Sequence, residues 1–334
     1  MNGTAKFCEE RSDELISKSC KKSTKIQQLE ALLRRLPDSH PKRKQINEDL
    51  AKYLAGYKGE QSIDYYLATL PENDFHIFYD LRLCNNQTEF FQLDVLVLSS
   101  SFLLIIEVKN YQGELYFDRN YPQLIRKKRG VEEAFKHPIQ QVFRQKSMLE
   151  HWIKNNKFLP APIETVIVIA NPSTIVRTSP EHQAILKNII PSDYLLKTIA
   201  IYERKHTKEF FPKKELQKLS KLLLSSHMPL YSNILEIYGI KSTDLLHGIH
   251  CPACTVLTME RRRGYWFCKT CKHTSKDAHH TPIMDYALLI SPSINNQELR
   301  AFLQLHSPTI ANRLLKEMKL KMIGKNKKRR YVLV

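Results

Sequence analysis

Apolar positions recur along this chain at two different periods, and the switch between them predicts its elements. Ile26, Leu29, Leu32, Leu33 and Leu36 fall at helical spacing, so residues Lys25 to Leu36 read as a helix. A second polar helix is predicted from Arg43 to Leu54, beyond the break Pro37-Asp-Ser-His-Pro41, and a third from about Gly59 to Leu70. Strand-like runs follow at Phe75 to Leu83, Phe90 to Leu98 and Phe102 to Val108, with Ser99-Ser-Ser101 as the turn between the last two. Pro138 suits the first turn of a helix whose Ile139, Val142, Phe143, Leu149, Trp152 and Ile153 share one face. Thr165 to Ala170 reads as another buried strand, and the strand, helix, strand crossover implies an α/β fold with a mixed sheet flanked by helices. Between 181 and 246, short helices are expected around one apolar strand, Leu195 to Tyr202. Beyond Gly248 the composition turns to Cys, His and Arg. A chain of 334 residues exceeds what one core usually serves. The expected division is a helical preface over 1–55, the α/β domain over 56–246, a cysteine-rich segment over 247–281 and a terminal segment over 282–334.

The predicted hairpin carries chemistry. A turn centred between Ser100 and Ser101 sets Asp94 opposite Glu107. Alternation then puts Gln92, Asp94, Leu96 and Leu98 on one face with Leu103, Ile105, Glu107 and Lys109, while the other face is apolar. Two facing carboxylates about 5 Å apart at Cβ repel unless a divalent cation lies between them, and hard oxygen ligands suit Mg²⁺ or Mn²⁺. Lys109 on the same face is placed to orient a water, or help deprotonate it, for attack on phosphorus. The plainer alternative is a strand end at Asp94 and a solvated Glu107–Lys109 salt bridge.

The ordered set Lys58-Gly-Glu60, Phe91-Gln-Leu-Asp94-Val, Ile105-Ile-Glu107-Val-Lys109-Asn110, Gly113 and His137-Pro-Ile-Gln-Gln141 resembles a NERD (nuclease-related) domain of the PD-(D/E)xK nuclease superfamily, over roughly 56 to 175. The resemblance implies a restriction-endonuclease-like sheet and a metal held by Asp94, Glu107 and the Val108 carbonyl. It makes Lys109 the catalytic lysine, with Glu60 and Gln141 at outlying positions of the same site. The family pattern has His after the motif's Asp and His four positions beyond the Gln; here Val95 and Gln145 stand there. Arg144 or Lys146 would then engage the substrate phosphate.

Charge bears on the partner. Lys and Arg total 52 against 34 Asp and Glu, a net +18, which favours a polyanion whose counterions are released on binding. DNA is the expected partner and RNA the weaker alternative. Membrane is not expected: no signal-peptide core precedes the early charges Lys6, Glu9, Glu10 and Arg11, and the longest apolar stretch, Leu93 to Val108, is interrupted by Asp94, three serines and Glu107. A cytoplasmic location follows as an expectation.

Cys251-Pro-Ala-Cys254 and Cys268-Lys-Thr-Cys271 stand thirteen residues apart, near the spacing of a structural four-thiolate zinc ribbon. Arg261, Arg262 and Arg263 with Tyr265-Trp-Phe267 lie between the pairs, able to contact nucleic acid or to cover the zinc. His247, His250 and His273 lie near enough in sequence to replace a cysteine.

In the last segment, Asn295 and Glu298 form a capping box before a stripe of Leu299, Phe302 and Leu303. Ser307-Pro308 opens another helix, with Ile310, Leu314, Leu315 and Met318 inward and Thr309, Asn312, Arg313 and Lys316 on a polar face for a major groove. Lys319 to Ile323 and Tyr331 to Val334 would pair around a basic wing containing Lys327, Lys328, Arg329 and Arg330. This resembles a winged helix-turn-helix; the plainer alternative is a basic helical tail. Taken together, the expected function is a metal-dependent DNA endonuclease or DNA-processing phosphodiesterase, the alternative a non-catalytic DNA-binding protein with a degenerate nuclease fold.

Overall fold

The computed structural model describes residues 15–86, 88–118, 121, 123–325 and 329–333. In chain order the elements begin with β1 (Ile16–Lys18), α1 (Thr24–Arg35), α2 (Arg43–Leu67), β2 (Phe75–Asn85), β3 (Glu89–Ser99) and β4 (Leu103–Lys109). There follow β5 (Glu114–Phe117), β6 (Gln123–Lys128), β7 (Val131–Lys136), α3 (Pro138–Asn155), β8 (Ile163–Ile169), β9 (Ile175–Thr178), β10 (Ile189–Pro191), α4 (Leu195–Lys205) and α5 (Lys213–Ser225). The remainder is α6 (Ile234–Tyr238), β11 (Met259–Arg261), β12 (Trp266–Cys268), β13 (Thr274–Ser275), α7 (His280–Leu289), β14 (Ser293–Ile294), α8 (Asn296–Leu303), α9 (Pro308–Glu317), β15 (Met322–Ile323) and β16 (Arg330–Val332).

The chain forms two compact units. The first, residues 1–23 and 54–230, is mixed α/β, built on the sheet β1-β2-β3-β4-β8-β10. The central strands β2, β3 and β4 are antiparallel neighbours, whereas β4–β8, β8–β10 and β1–β2 are parallel. Both faces are covered. Met148, Leu149, Trp152 and Ile153 of α3 and Leu216, Leu219 and Leu223 of α5 pack on Leu96, Leu98, Leu103 and Ile105. Ile63 and Leu67 of α2 and Leu195 and Ile199 of α4 pack on Val95, Val97, Leu104 and Ile106. This two-sided burial explains why β3 and β4 read as continuous apolar runs. A second sheet, β7-β6-β5-β9, takes β5, β6 and β7 from the connection between β4 and α3 and β9 from the chain after β8. Its strands escape a sequence reading because one buried face rests on only Leu115, Phe117 and Leu124, with charged residues between.

Two expected elements change. The helices of Arg43–Leu54 and Gly59–Leu70 are one helix, α2, which runs through Gly56 and Gly59. The expected strand Leu195–Tyr202 is helix α4: its buried residues, Leu195 and Ile199, are four apart, so tertiary burial selects the helical period.

The second unit comprises residues 24–53 and 231–334. Its division differs from the one expected, because α1 packs with Ile234, Leu235, Tyr238 and Leu289 rather than forming a preface. The fully buried Arg35 seals this packing, donating to Asp285 Oδ2 at 2.7 Å and to the Gly248 carbonyl at 2.9 Å. Around α7, α8 and α9 a core gathers Ile283, Tyr286, Leu299, Phe302, Leu314 and Leu315 with Trp266. Among the described residues, no helix is long and apolar enough to cross a membrane.

Candidate active site and cysteine centre

The β3–β4 register pairs Leu98 with Leu103 and Val95 with Ile106, as the turn chemistry predicts, so Asp94 and Glu107 stand next in line. Glu107 is 1% exposed, and its carboxylate is held on both oxygens. Oε1 accepts from Lys109 Nζ at 2.6 Å and Gln141 Nε2 at 2.7 Å, while Oε2 accepts from Gln145 Nε2 at 2.9 Å. Gln141 and Gln145 are one turn apart on α3, hence on the same face. Asp94 is differently placed. Its Oδ2 accepts from the Val108 N–H at 2.9 Å, its one side-chain hydrogen bond among the described residues.

The expected face pattern is modified at Asp94. Leu93 and Leu96 pack in the same cluster, as do Phe78 and Leu81 on the neighbouring strand, so alternation switches at Asp94 and at Asp80, where φ is +49°. The flanking pairs Tyr79–Val95 and Leu81–Leu93 set these two aspartates opposite each other. Gln92 therefore leaves the face of Leu96; it is exposed, and its amide donates to Asp80 Oδ1 at 2.5 Å. Asp80 is thus a residue of the candidate site that sequence reasoning missed, and Gln145, read only as a departure from the family pattern, holds Glu107 Oε2. Asp80 interrupts the apolar positions Ile77, Phe78, Tyr79, Leu81 and Leu83, which was the available signal.

Glu60 reaches the same region from α2. An added Cβ at Gly59 would lie 2.7 Å from Asn110 Cβ, and Asn110 Nδ2 donates to the Ala55 carbonyl at 2.8 Å. The missing side chain lets α2 lie against the end of β4. Burial, then Asp80 and Glu107, push the Glu60 carboxyl up to about 7, against the pull of Lys18. Asp94 is raised well above the ordinary aspartate range by burial, then by Glu107 and Glu60, with Lys109 and the Val108 N–H opposing. Burial also raises Asp80. Burial works against the Lys109 ammonium, yet Glu107 and Asp94 beside it leave its pKa above the ordinary lysine value. The site therefore holds an excess of carboxylates that do not all ionise readily, the condition a divalent cation relieves. Arg144, on the helix that carries Gln141, is exposed; Lys146 is half-buried.

The four cysteines of the second unit converge, all sulfurs lying within 4.8 Å of one another. Cys251–Cys271 and Cys254–Cys268 stand 3.6 Å apart, close to the edge of a tetrahedron with Zn–S of about 2.3 Å. Each pair sits on the same turn: the residue after its second cysteine, Thr255 or Lys272, has φ near +60°. Their N–H groups donate to the Cys251 carbonyl at 2.9 Å and the Cys268 carbonyl at 3.0 Å. The cluster fits a structural zinc without His247, His250 or His273. The strands β11, β12 and β13 form the accompanying antiparallel ribbon.

The expected nucleic-acid contacts divide. Arg262 and Arg263 are exposed, Arg262 lying over the Phe267 ring at 3.6 Å; Arg261 is half-buried over Trp266. On α9, Thr309, Asn312, Arg313 and Lys316 are all exposed, though Asn312 Oδ1 accepts from Asn296 and Arg313 faces Glu317 at 3.7 Å. Ala311, with Leu314 and Leu315, is buried, and Ile310 and Met318 are only partly so. The hairpin β15–β16 forms in the expected place. Arg330 is not a free wing cation: it donates to both Glu298 oxygens, at 2.9 and 2.8 Å, and to the Ser293 carbonyl. Arg329 is exposed, and Lys327 and Lys328 lie outside the described residues.

No curated protein and no solved structure matches the chain. Residues 55–170, which contain α2's second half, β2 to β8 and every carboxylate of the site, match the family model of NERD, the nuclease-related domain. This chain therefore carries a nuclease-related domain at the centre of its first unit.

Proposed function

We propose that the protein is a metal-dependent DNA nuclease, hydrolysing phosphodiesters at the site of Asp94, Glu107 and Lys109. The observation that carries the reading is the convergence of Asp94, Glu107, Glu60 and Lys109 beside a sheet whose two faces bury apolar clusters. Asp94 and Glu107, with the Val108 carbonyl, would hold Mg²⁺ or Mn²⁺, whose bound state lowers the pKa of a water and stabilises charge on the phosphate. Glu107 and Asp94 beside it favour the Lys109 ammonium, which would orient the attacking water and stabilise the phosphate oxygens. Glu107 and Gln141 fix the ammonium, at 2.6 and 3.3 Å. The water oxygen would bond to phosphorus as the phosphorus–oxygen ester bond breaks, the water giving up one proton to solvent and the leaving alkoxide taking one from solvent. The zinc ribbon over 247–281 and the winged-helix-like segment over 282–334 would hold the DNA, with the net charge of +18 favouring that partner.

One observation favours the alternative, a DNA-binding protein that does not cleave. Both Glu107 oxygens already accept hydrogen bonds, one from Gln145, which stands where the family pattern has His. Incubation of supercoiled, linear and single-stranded DNA with Mg²⁺, Mn²⁺ or EDTA decides between them. Cleavage that needs the metal and is lost in Asp94→Ala and Lys109→Ala supports the nuclease; binding with no cleavage in either metal supports the alternative.

A further inference from the structure

A groove of about 1050 Å³ lies in the second unit between the ribbon hairpin and helices α8 and α9. Arg261 and Lys269 line one wall and Gln297, Arg300 and His306 the other. Its acid, Glu260, is already engaged by Lys269 at 2.9 Å and Arg262 at 3.3 Å. Among the described residues Arg261 has no carboxylate partner in the groove, the nearby Glu317 already facing Arg313 at 3.7 Å, and Arg300 Nε donates to the neutral Asn296 Oδ1 at 3.0 Å. Arg261 is the telling residue. Its guanidinium lies 5.0 Å over the Trp266 ring, and its Nε and Nη1 are buried with no acceptor among the described residues. A guanidinium keeps its charge in proteins, so this unpaired cation favours an anionic ligand at the groove wall. Trp266 is 1% exposed and offers no face for stacking a base, so the groove presents charge and donors rather than aromatic surface.

We infer that this groove binds the phosphodiester backbone of nucleic acid, with Arg261 as its anchoring donor and Arg300 as its second cation. The inference rests on nucleic acid being the protein's partner, and adds a contact surface distinct from the exposed face of α9. On that face Asn312 and Arg313 are already engaged by Asn296 and Glu317.

Fluorescence anisotropy of the full chain with fluorescein-labelled duplex DNA, across a KCl series without added Mg²⁺ or Mn²⁺, tests it independently of cleavage. Arg261→Met keeps an apolar stem over Trp266 but removes the donors. Gln297→Glu places a carboxylate in the groove at an exposed position in the first turn of α8, where the helix tolerates it. Each variant should weaken binding about tenfold, and Arg261→Met should reduce the slope of log affinity against log salt by about one. Zinc content and melting temperature should match the parent for Gln297→Glu, which decides the matter if Arg261→Met folds poorly. A folded Gln297→Glu with parental affinity, an unchanged salt slope in folded Arg261→Met, or a parent that binds no DNA would overturn the inference. Asp94→Ala that binds but does not cleave leaves it standing, so its fate and that of the nuclease reading separate.

Discussion

The two candidate centres are built in opposite ways. The cysteine centre comes from twenty-one consecutive residues, Cys251 to Cys271, and two identical turns bring its four sulfurs together. The carboxylate centre draws on α2, β2, β3, β4 and α3, over residues separated by as many as 85 positions from Glu60 to Gln145. One is local and fits a structural metal, which a short ribbon with little core of its own would need. The other is held by a double-sided apolar sheet, which keeps it in place with its carboxylates in mutual repulsion. The lesson is that the first centre is arranged for a metal to stabilise its fold, whereas in the second the fold maintains a destabilised site.

The largest effect expected from this contrast is on the ribbon. Chelation, or Cys251→Ser, should remove roughly 10 kcal/mol of apparent zinc binding free energy and melt the ribbon. Differential scanning calorimetry should show loss of a transition while that of the α/β unit persists; an unchanged thermogram would contradict the comparison. Asp94→Asn should do the reverse. It keeps an acceptor for the Val108 N–H but removes a carboxyl whose folded pKa is raised. A raised carboxyl pKa means that the folded state binds protons more tightly, so ionisation lowers stability from the ordinary aspartate range upward. Asp94→Asn should therefore cut cleavage by about 10²–10³-fold while leaving the melting temperature at neutral pH equal or higher. A lower melting temperature would break that half of the contrast.

Gly59→Ala should be felt at intermediate strength. The new Cβ cannot sit 2.7 Å from Asn110 Cβ, so α2 must shift, at about 1–3 kcal/mol, with reduced cleavage at constant zinc content. Chemical denaturation and plasmid assays check this together. The smallest effect concerns protons. Mn²⁺ affinity should rise with pH through about 7 as Glu60 and Asp94 release protons to admit the cation, and Glu60→Gln should flatten the part near 7. Calorimetric titration in buffers of different ionisation enthalpy reads that release; a pH-independent affinity would remove Glu60 from the site.

Much of this was legible from residue order. The turn at Ser99-Ser-Ser101 implied the β3–β4 register, hence the Asp94–Glu107 adjacency, and the cysteine spacing implied the metal centre. The capping box of Asn295 and Glu298 forms with both its hydrogen bonds, at 2.9 and 3.0 Å. Other parts were not legible. Asp80 joins the site only because β2 lies beside β3 and both switch alternation there, and Arg330 is taken from the wing by Glu298, 32 residues away.

By itself the sequence determined what rests on short-range periodicity and spacing: the apolar hairpin, the starts of α1, α3, α8 and α9, the cysteine turns and the charge excess. Only tertiary structure decided which helix α1 serves, that Leu195–Lys205 is helical, that Gln145 rather than a histidine braces Glu107, and that Arg261 faces a groove with its donors unmet. The reason is physical. Burial and hydrogen bonding between distant segments select among conformations whose local energies are nearly equal, and that selection depends on neighbours that no window of sequence contains.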